Sequence, residues 1–161
     1  MITVNYESQT ATFTVEVNST VPSSITSSKY TISGGNISKI AAGTTASTLL
    51  SGINEGIHCK VYKGNSVVSG STAAGTGMIV KIMDNSAVKA SYIIIVTGDT
   101  NGDGNITVTD MIAIKAHVLK KTLLSGAVAT AADTNGDGGF SITDFIQVKA
   151  KILGKGTITA R

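Results

Sequence analysis

Two short stretches carry most of the chemistry this sequence offers. Asp99-Thr-Asn-Gly-Asp-Gly-Asn-Ile-Thr-Val-Thr-Asp110 and Asp133-Thr-Asn-Gly-Asp-Gly-Gly-Phe-Ser-Ile-Thr-Asp144 share one layout. Each sets side-chain oxygens at loop positions 1, 3 and 5, glycine at 4 and 6, an apolar residue at 8 and a carboxylate at 12. A hard cation takes roughly six to eight oxygens at about 2.3–2.6 Å, and this spacing wraps the chain around one point to supply them. Gly102 and Gly104, then Gly136 and Gly138, allow the sharp turn that a Cβ resists. The layout is that of a twelve-residue calcium loop, and it occurs twice.

The elements that must position these loops are legible around them. A shift of 34 residues lays the second loop on the first, and the match continues past it: Met111 meets Phe145, Ile114 meets Val148, Val118 meets Ile152 and Leu119 meets Leu153. Apolar residues at 111, 114 and 118 follow the helical period, so each loop is expected to lead into an amphipathic helix of about three turns. A duplication on this scale implies two related loop–helix units packed face to face with pseudo-twofold symmetry. Ile93-Ile-Ile-Val96 reads as a strand running almost straight into the first loop. An ordinary EF-hand has a helix there and a bidentate Glu at position 12; here position 12 is Asp in both copies. Both departures argue against a calcium sensor that opens a helix pair.

Composition narrows the classes further. The chain has 161 residues, 14% of them charged and 4% aromatic, with no Trp and a net charge of +3. No apolar run reaches the length of a membrane span. There is neither a Lys/Arg cluster nor an aromatic platform, which disfavours nucleic acid. The single cysteine, Cys59, excludes an internal disulfide. From Gly98 onward there are six Asp and no Glu, all in the two loops, so the last third of the chain is expected to need metal to fold. The Thr/Ser/Val/Ile-rich composition suits an extracellular β-rich module. The N-terminus shows no secretory leader pattern, and the expectation is a fragment that begins inside a module.

Upstream of the loops, residues 1–20 read as a β-hairpin: Ile2–Tyr6 alternates, Glu7–Thr10 turns, and Ala11–Val17 alternates again. Residues 21–97 read as a small α+β module, with short strands at Tyr30–Ile32 and Asn36–Ile40. A helix over Gly43–Gly52 follows, capped by Thr44 or Thr45, and then strands at His58–Tyr62, Gly77–Met83 and Ala90–Val96. Nothing there looks catalytic. His58 and Cys59 are strand neighbours expected on opposite faces, with Cys59 and Val61 toward the core, and the carboxylates are scattered singly.

The segments GDTNGDGNITVTDMIAIKAHVLK and ADTNGDGGFSITDFIQVKAKILGK resemble the two repeats of the dockerin family, over about residues 98–155. The hairpin ITVNYESQTATFTVEV resembles the end of a bacterial immunoglobulin-like domain, though it could equally belong to the next module. The 21–97 module is similar to small modules of clostridial and ruminococcal surface proteins. The dockerin resemblance implies a non-catalytic, calcium-dependent plug, secreted or at a bacterial cell surface, that binds a cohesin module of a scaffolding or surface protein. The parent protein's own activity, a glycoside hydrolase or other carbohydrate-active enzyme, would lie upstream. Two structural Ca²⁺ are implied. The ligands carried over by position are Asp99, Asn101, Asp103, Asn105 (carbonyl), Thr107 (through water) and Asp110, then Asp133, Asn135, Asp137, Gly139 (carbonyl), Ser141 (through water) and Asp144.

The resemblance also implies a partner face of Val108, Thr109, Lys115, Ala116, Leu119 and Lys120, with Ile142, Thr143, Lys149, Ala150 and Leu153 in the second copy. Plain helix solvation is the competing account of the lysines. The expected fold is multi-module: a β-rich or α+β N-terminal part followed by an all-α dockerin (98–161) with two calcium loop–helix repeats. The expected function is cohesin docking, with the symmetry allowing two orientations. The alternative is a calcium-rigidified structural module with no cohesin partner.

Overall fold

The computed structural model describes residues 2–6, 9–13 and 21–160. Strands β1 (Ile2–Tyr6) and β2 (Gln9–Phe13) pair antiparallel, with Ile2 opposite Phe13 and Tyr6 opposite Gln9. The expected continuation of the second strand to Val17 lies outside the described residues, as do Glu7 and Ser8.

Residues from Val21 build a six-stranded mixed sheet in the order β3-β4-β8-β7-β5-β6. Its strands are β3 (Thr31–Ser33), β4 (Asn36–Ile40), β5 (Cys59–Lys63), β6 (Ser66–Val67), β7 (Ile79–Asp84) and β8 (Ala87–Val96). β4 and β8 run parallel and the other neighbours antiparallel. Period-2 alternation sends Val61, Val80, Ile82, Ile94 and Val96 into one core, and a register irregularity at Lys39, whose φ is 61°, brings Ile40 to the same face as Ile37. Helix α1 (Ala46–Ser51) adds Ala46 and Leu49 to it. Thr45 caps α1 by accepting from the N–H of Thr48, and Gly52 ends it. The helix has six residues rather than about ten, because Thr44 and Thr45 spend their hydroxyls on local bonds before the first turn. Cys59 and Val61 are buried as expected, whereas His58 belongs to a short 3-10 turn (Gly56–His58) and is half-buried.

The remaining elements are helices α2 (Val108–Val118), α3 (Gly126–Ala132) and α4 (Ile142–Ile152). α2 and α4 sit 34 residues apart at both ends. Met111, Ile114 and Val118 of α2 meet Phe145, Val148 and Ile152 of α4 in a second, smaller core with Ala132.

The expected division into a β-rich part and a separate all-α unit is overturned: from Val21 onward the described residues form a single-sheet α+β fold. The longest strand, β8, ends at Val96, three residues before Asp99. Ile94 and Val96 point into the sheet core, and Ile95, on the other face, is also buried, with α3 packed against this strand. The N–H of Gly98 donates to the carbonyl of Ala131 at 2.7 Å, which ties the strand's end to α3. The end of β8 is thus covered by the sheet core on one face and by α3 on the other, so sheet and helices share a packed boundary.

Candidate functional site

The two loops share a hydrogen-bond plan set by their sequence. Asp99, at position 1, accepts from the N–H of Gly102 at Oδ1 (2.8 Å) and of Gly104 at Oδ2 (3.0 Å). Asp133 accepts from Gly136 at 2.7 Å and Gly138 at 2.9 Å in the same way. These closures need left-handed backbone at four glycines, whose φ values run from 70° at Gly136 to 82° at Gly104 and Gly138. Asn101 Nδ2 donates to Asp103 Oδ2 at 2.8 Å, and Asn135 Nδ2 to Asp137 Oδ2 at 2.7 Å. Asn105 and Gly139 give their N–H groups to Asp103 and Asp137, both at 2.8 Å.

Position 12 joins loop to helix. Asp110 Oδ1 accepts from the N–H of Thr100 and Oδ2 from that of Thr107, each at 2.8 Å; Asp144 does the same with Thr134 and Ser141, each at 2.9 Å. Thr107 and Ser141 are the N-caps of α2 and α4, and Asp110 and Asp144 complete capping boxes from the third helical position. Asp therefore fills a role usually given to Glu or Gln. The same carboxylate closes the loop and starts the helix, so loop and helix form together.

Electrostatically the loops are acidic wells. Asp99, Asp110 and Asp144 are fully buried, yet among the described residues the one ion pair is Lys89–Asp84, on the sheet. Burial lifts the Asp99 carboxyl above its usual range; the N–H groups of Thr76, Gly104 and Gly102 pull it back, and the Asp110 carboxylate adds to the rise. The loop carboxylates accept from backbone N–H groups and from neighbouring Asn, Thr and Ser side chains. Among the described residues no group of three or more His, Cys, Asp or Glu side chains stands in metal-holding geometry. The donor set does fit a hard divalent cation, because it is all oxygen and buries carboxylates with no cationic partner.

One feature separates the loops. The first packs on the sheet unit: the N–H of Thr76 donates to Asp99 Oδ2 at 2.8 Å, and the N–H of Gly43 to the carbonyl of Gly104 at 2.7 Å. A Cβ on Gly104 would stand 2.8 Å from Cβ of Ala73, whereas one on Gly138 would meet open space.

The expected partner residues lie along the outer faces of α2 and α4. Val108, Thr109, Lys115, Leu119 and Lys120 are exposed, as are Ile142, Thr143, Lys149 and Leu153; Ala116 and Ala150 are half-buried. Ile112 and Ile146 were not expected there. They are 59% and 55% exposed, one helical turn after Val108 and Ile142. Their helical spacing could have shown this, since the core takes 111, 114 and 118 and leaves 112 on the far side.

Two loops that each close on an N-terminal Asp, cap their own helix with a C-terminal Asp and pack helix to helix define a duplicated cation-loop module. Residues 97–153 match the model of the Dockerin type I domain, about a third of the chain. The match supports a dockerin module over that stretch. Dockerins are non-catalytic, typically bind calcium, bind cohesins in general in a calcium-dependent way, and occur in extracellular cellulosome components. No curated protein and no solved structure matches the chain. No described helix is long and apolar enough to cross a membrane.

Proposed function

We propose that the unit from residue 98 onward is a calcium-loaded plug that docks onto a cohesin and anchors its parent protein in a cellulosome-like or cell-surface complex. One ion is held by Asp99, Asn101, Asp103, the Asn105 carbonyl, Thr107 through water and Asp110. The other is held by Asp133, Asn135, Asp137, the Gly139 carbonyl, Ser141 through water and Asp144. The calcium is structural: it neutralises the buried carboxylates and holds α2 and α4 at fixed starting points.

The observation that carries the docking reading is a repeated apolar stripe. Val108, Ile112 and Leu119 are 50%, 59% and 53% exposed, and Ile142, Ile146 and Leu153 are 59%, 55% and 56% exposed. Three large apolar side chains on the outer face of each helix, flanked by Lys115 or Lys149, form a dry centre with a charged rim, the usual anatomy of a protein interface. Because the stripes repeat with the 34-residue symmetry, a half-turn presents a nearly equivalent face, so the partner can be bound in two orientations. Calorimetric titration of the full chain against a cohesin panel, in calcium and in chelator, tests this. Binding in calcium that is lost in chelator is the expected result.

The second reading, a rigid structural end with no partner, draws support from the packing of the first loop on the sheet. It predicts a calcium-dependent rise in stability together with no binding to any cohesin of the panel.

A further inference from the structure

The two loops are nearly identical in sequence but not in surroundings. Asp133 takes its loop N–H groups from Gly136 and Gly138. Asp99 has the same two bonds from Gly102 and Gly104, one from Asp103 at 3.2 Å, and one from outside the loop, the N–H of Thr76. Thr76 is itself fixed, since its hydroxyl donates to the carbonyl of Val96 at 3.2 Å and accepts from the N–H of Val96 at 3.1 Å. It therefore spans the end of β8 and the first residue of the loop. Beside it, Gly75 lies so close to the loop that a Cβ would overlap the carbonyl of Gly102, and a Cβ on Gly102 would stand 2.7 Å from the carbonyl of Thr76. Gly43 closes the other side through the carbonyl of Gly104.

We infer that the sheet unit works as a clamp on the first loop, with Thr76 as the positioning residue for Asp99, so that the two loops take up calcium in separable steps. The inference rests on the calcium reading above. Oδ2 of Asp99 is fixed by one N–H from the loop and one from the sheet, so the carboxylate is oriented before any cation arrives. Such outer partners of a metal-binding carboxylate are worth about 10–100-fold in affinity. The second loop lacks this support and must order itself as it binds. The 21–97 module thus has a role of its own: it preorganises one of the two sites.

The test is calcium calorimetry on the full chain. Asp133→Ala isolates the first loop and Asp99→Ala the second. Gly75→Ala keeps every bonding group but pushes the loop away, and Thr76→Pro removes the N–H together with the hydroxyl that ties it to Val96. In the Asp133→Ala background, each is expected to weaken calcium binding about 10–100-fold; in the Asp99→Ala background, neither changes it. Unchanged binding in the first background, or equal weakening in both, overturns the clamp. Absence of any calcium binding by the parent chain overturns the calcium reading instead. Should the variants fail to fold, hydrogen exchange of the unaltered protein decides. The amide of Thr76 is expected to exchange slowly already without calcium, because its bond to Asp99 is preformed, while that of Gly138 slows only when calcium is added. A Thr76 amide that exchanges freely without calcium, or that gains protection from calcium as steeply as Gly138, overturns the inference.

Discussion

Lys120 and Gly154 occupy the same place in the two repeats, and both hold left-handed backbone, with φ of 55° and 66°. Each follows a helix C-cap, Leu119 or Leu153, and the next residue closes the turn: the N–H of Lys121 donates to the carbonyl of Ala116 at 2.9 Å, and that of Lys155 to Ala150 at 2.8 Å. The motif favours glycine because an L side chain there costs about 1–2 kcal/mol. The expected effect of Lys120→Gly is a gain of about 0.5–1 kcal/mol, since glycine's looser unfolded chain offsets part of the relief. Denaturant melts of calcium-loaded protein check it. If Lys120 also touches the partner, cohesin affinity falls while stability rises, which separates the two roles.

Removing the metal should act on the helices before the sheet. Without a cation the buried Asp99, Asp110 and Asp144 have only neutral N–H and hydroxyl donors to offset their charge. A single site at about 100 times its Kd stabilises by about 2.7 kcal/mol, so chelation is expected to lower the melting temperature and weaken the helical signal of α2 and α4. A circular dichroism spectrum and melt unchanged by chelator would sink the metal assignment.

The two stripes should be redundant one at a time. Ile112→Asp alone is expected to leave cohesin affinity within about threefold, because the Ile142–Ile146–Leu153 face remains; Ile112→Asp with Ile146→Asp should cost at least about 2 kcal/mol, as loss of a central interface residue does. Complete loss of binding in the single variant would rule out two orientations.

Cys59 supplies a pH test away from the loops. Burial, helped by the charge of Glu55, pushes its thiol from 9.0 up to about 11, and the S–H donates to the carbonyl of Glu55 at 3.4 Å. The folded value is raised, so the stability it contributes is fully present below pH 9.0 and is lost as pH rises through about 11. The drop in melting temperature across that window should be smaller in Cys59→Ala, and alkylation of Cys59 in the folded protein should be slow at neutral pH. Rapid alkylation there would contradict the burial.

What the sequence made legible was local. The loops, their glycines and the 34-residue duplication are patterns over twelve to twenty residues, and the hydrogen-bond plan within the loops follows them, with extra bonds at Asp99. Strand β4 and a threonine cap of α1, at Thr44 or Thr45, were readable for the same reason. Elements set by tertiary contact were not. Helix α3, Gly126-Ala-Val-Ala-Thr-Ala-Ala132, has a φ of 58° at its first residue and no capping side chain, and it owes its place to the face of β8 that it covers. The clamp of Thr76 on Asp99 joins residues 23 apart in sequence, in a Gly- and Thr-rich stretch that reads only as a turn. The separation into a β part and an all-α part failed for this reason: alternation and periodicity locate elements but not what lies against their second face.

The order of the strands has a last consequence, for solubility. A sheet's outer strands expose unpaired N–H and carbonyl groups that invite another chain to add on, and long outer strands are the usual seeds of aggregation. Here the outer positions go to the shortest members, β3 with three residues and β6 with two, while the ten-residue β8 lies inside, between β4 and β7. The apolar run Ile93-Ile-Ile-Val96, the segment best suited to cross-β stacking, is thereby kept from neighbouring molecules as long as the sheet stays folded. A chain rich in β-branched residues, and with no disulfide to hold it, thereby keeps the longest strand of its six-stranded sheet out of reach of other chains.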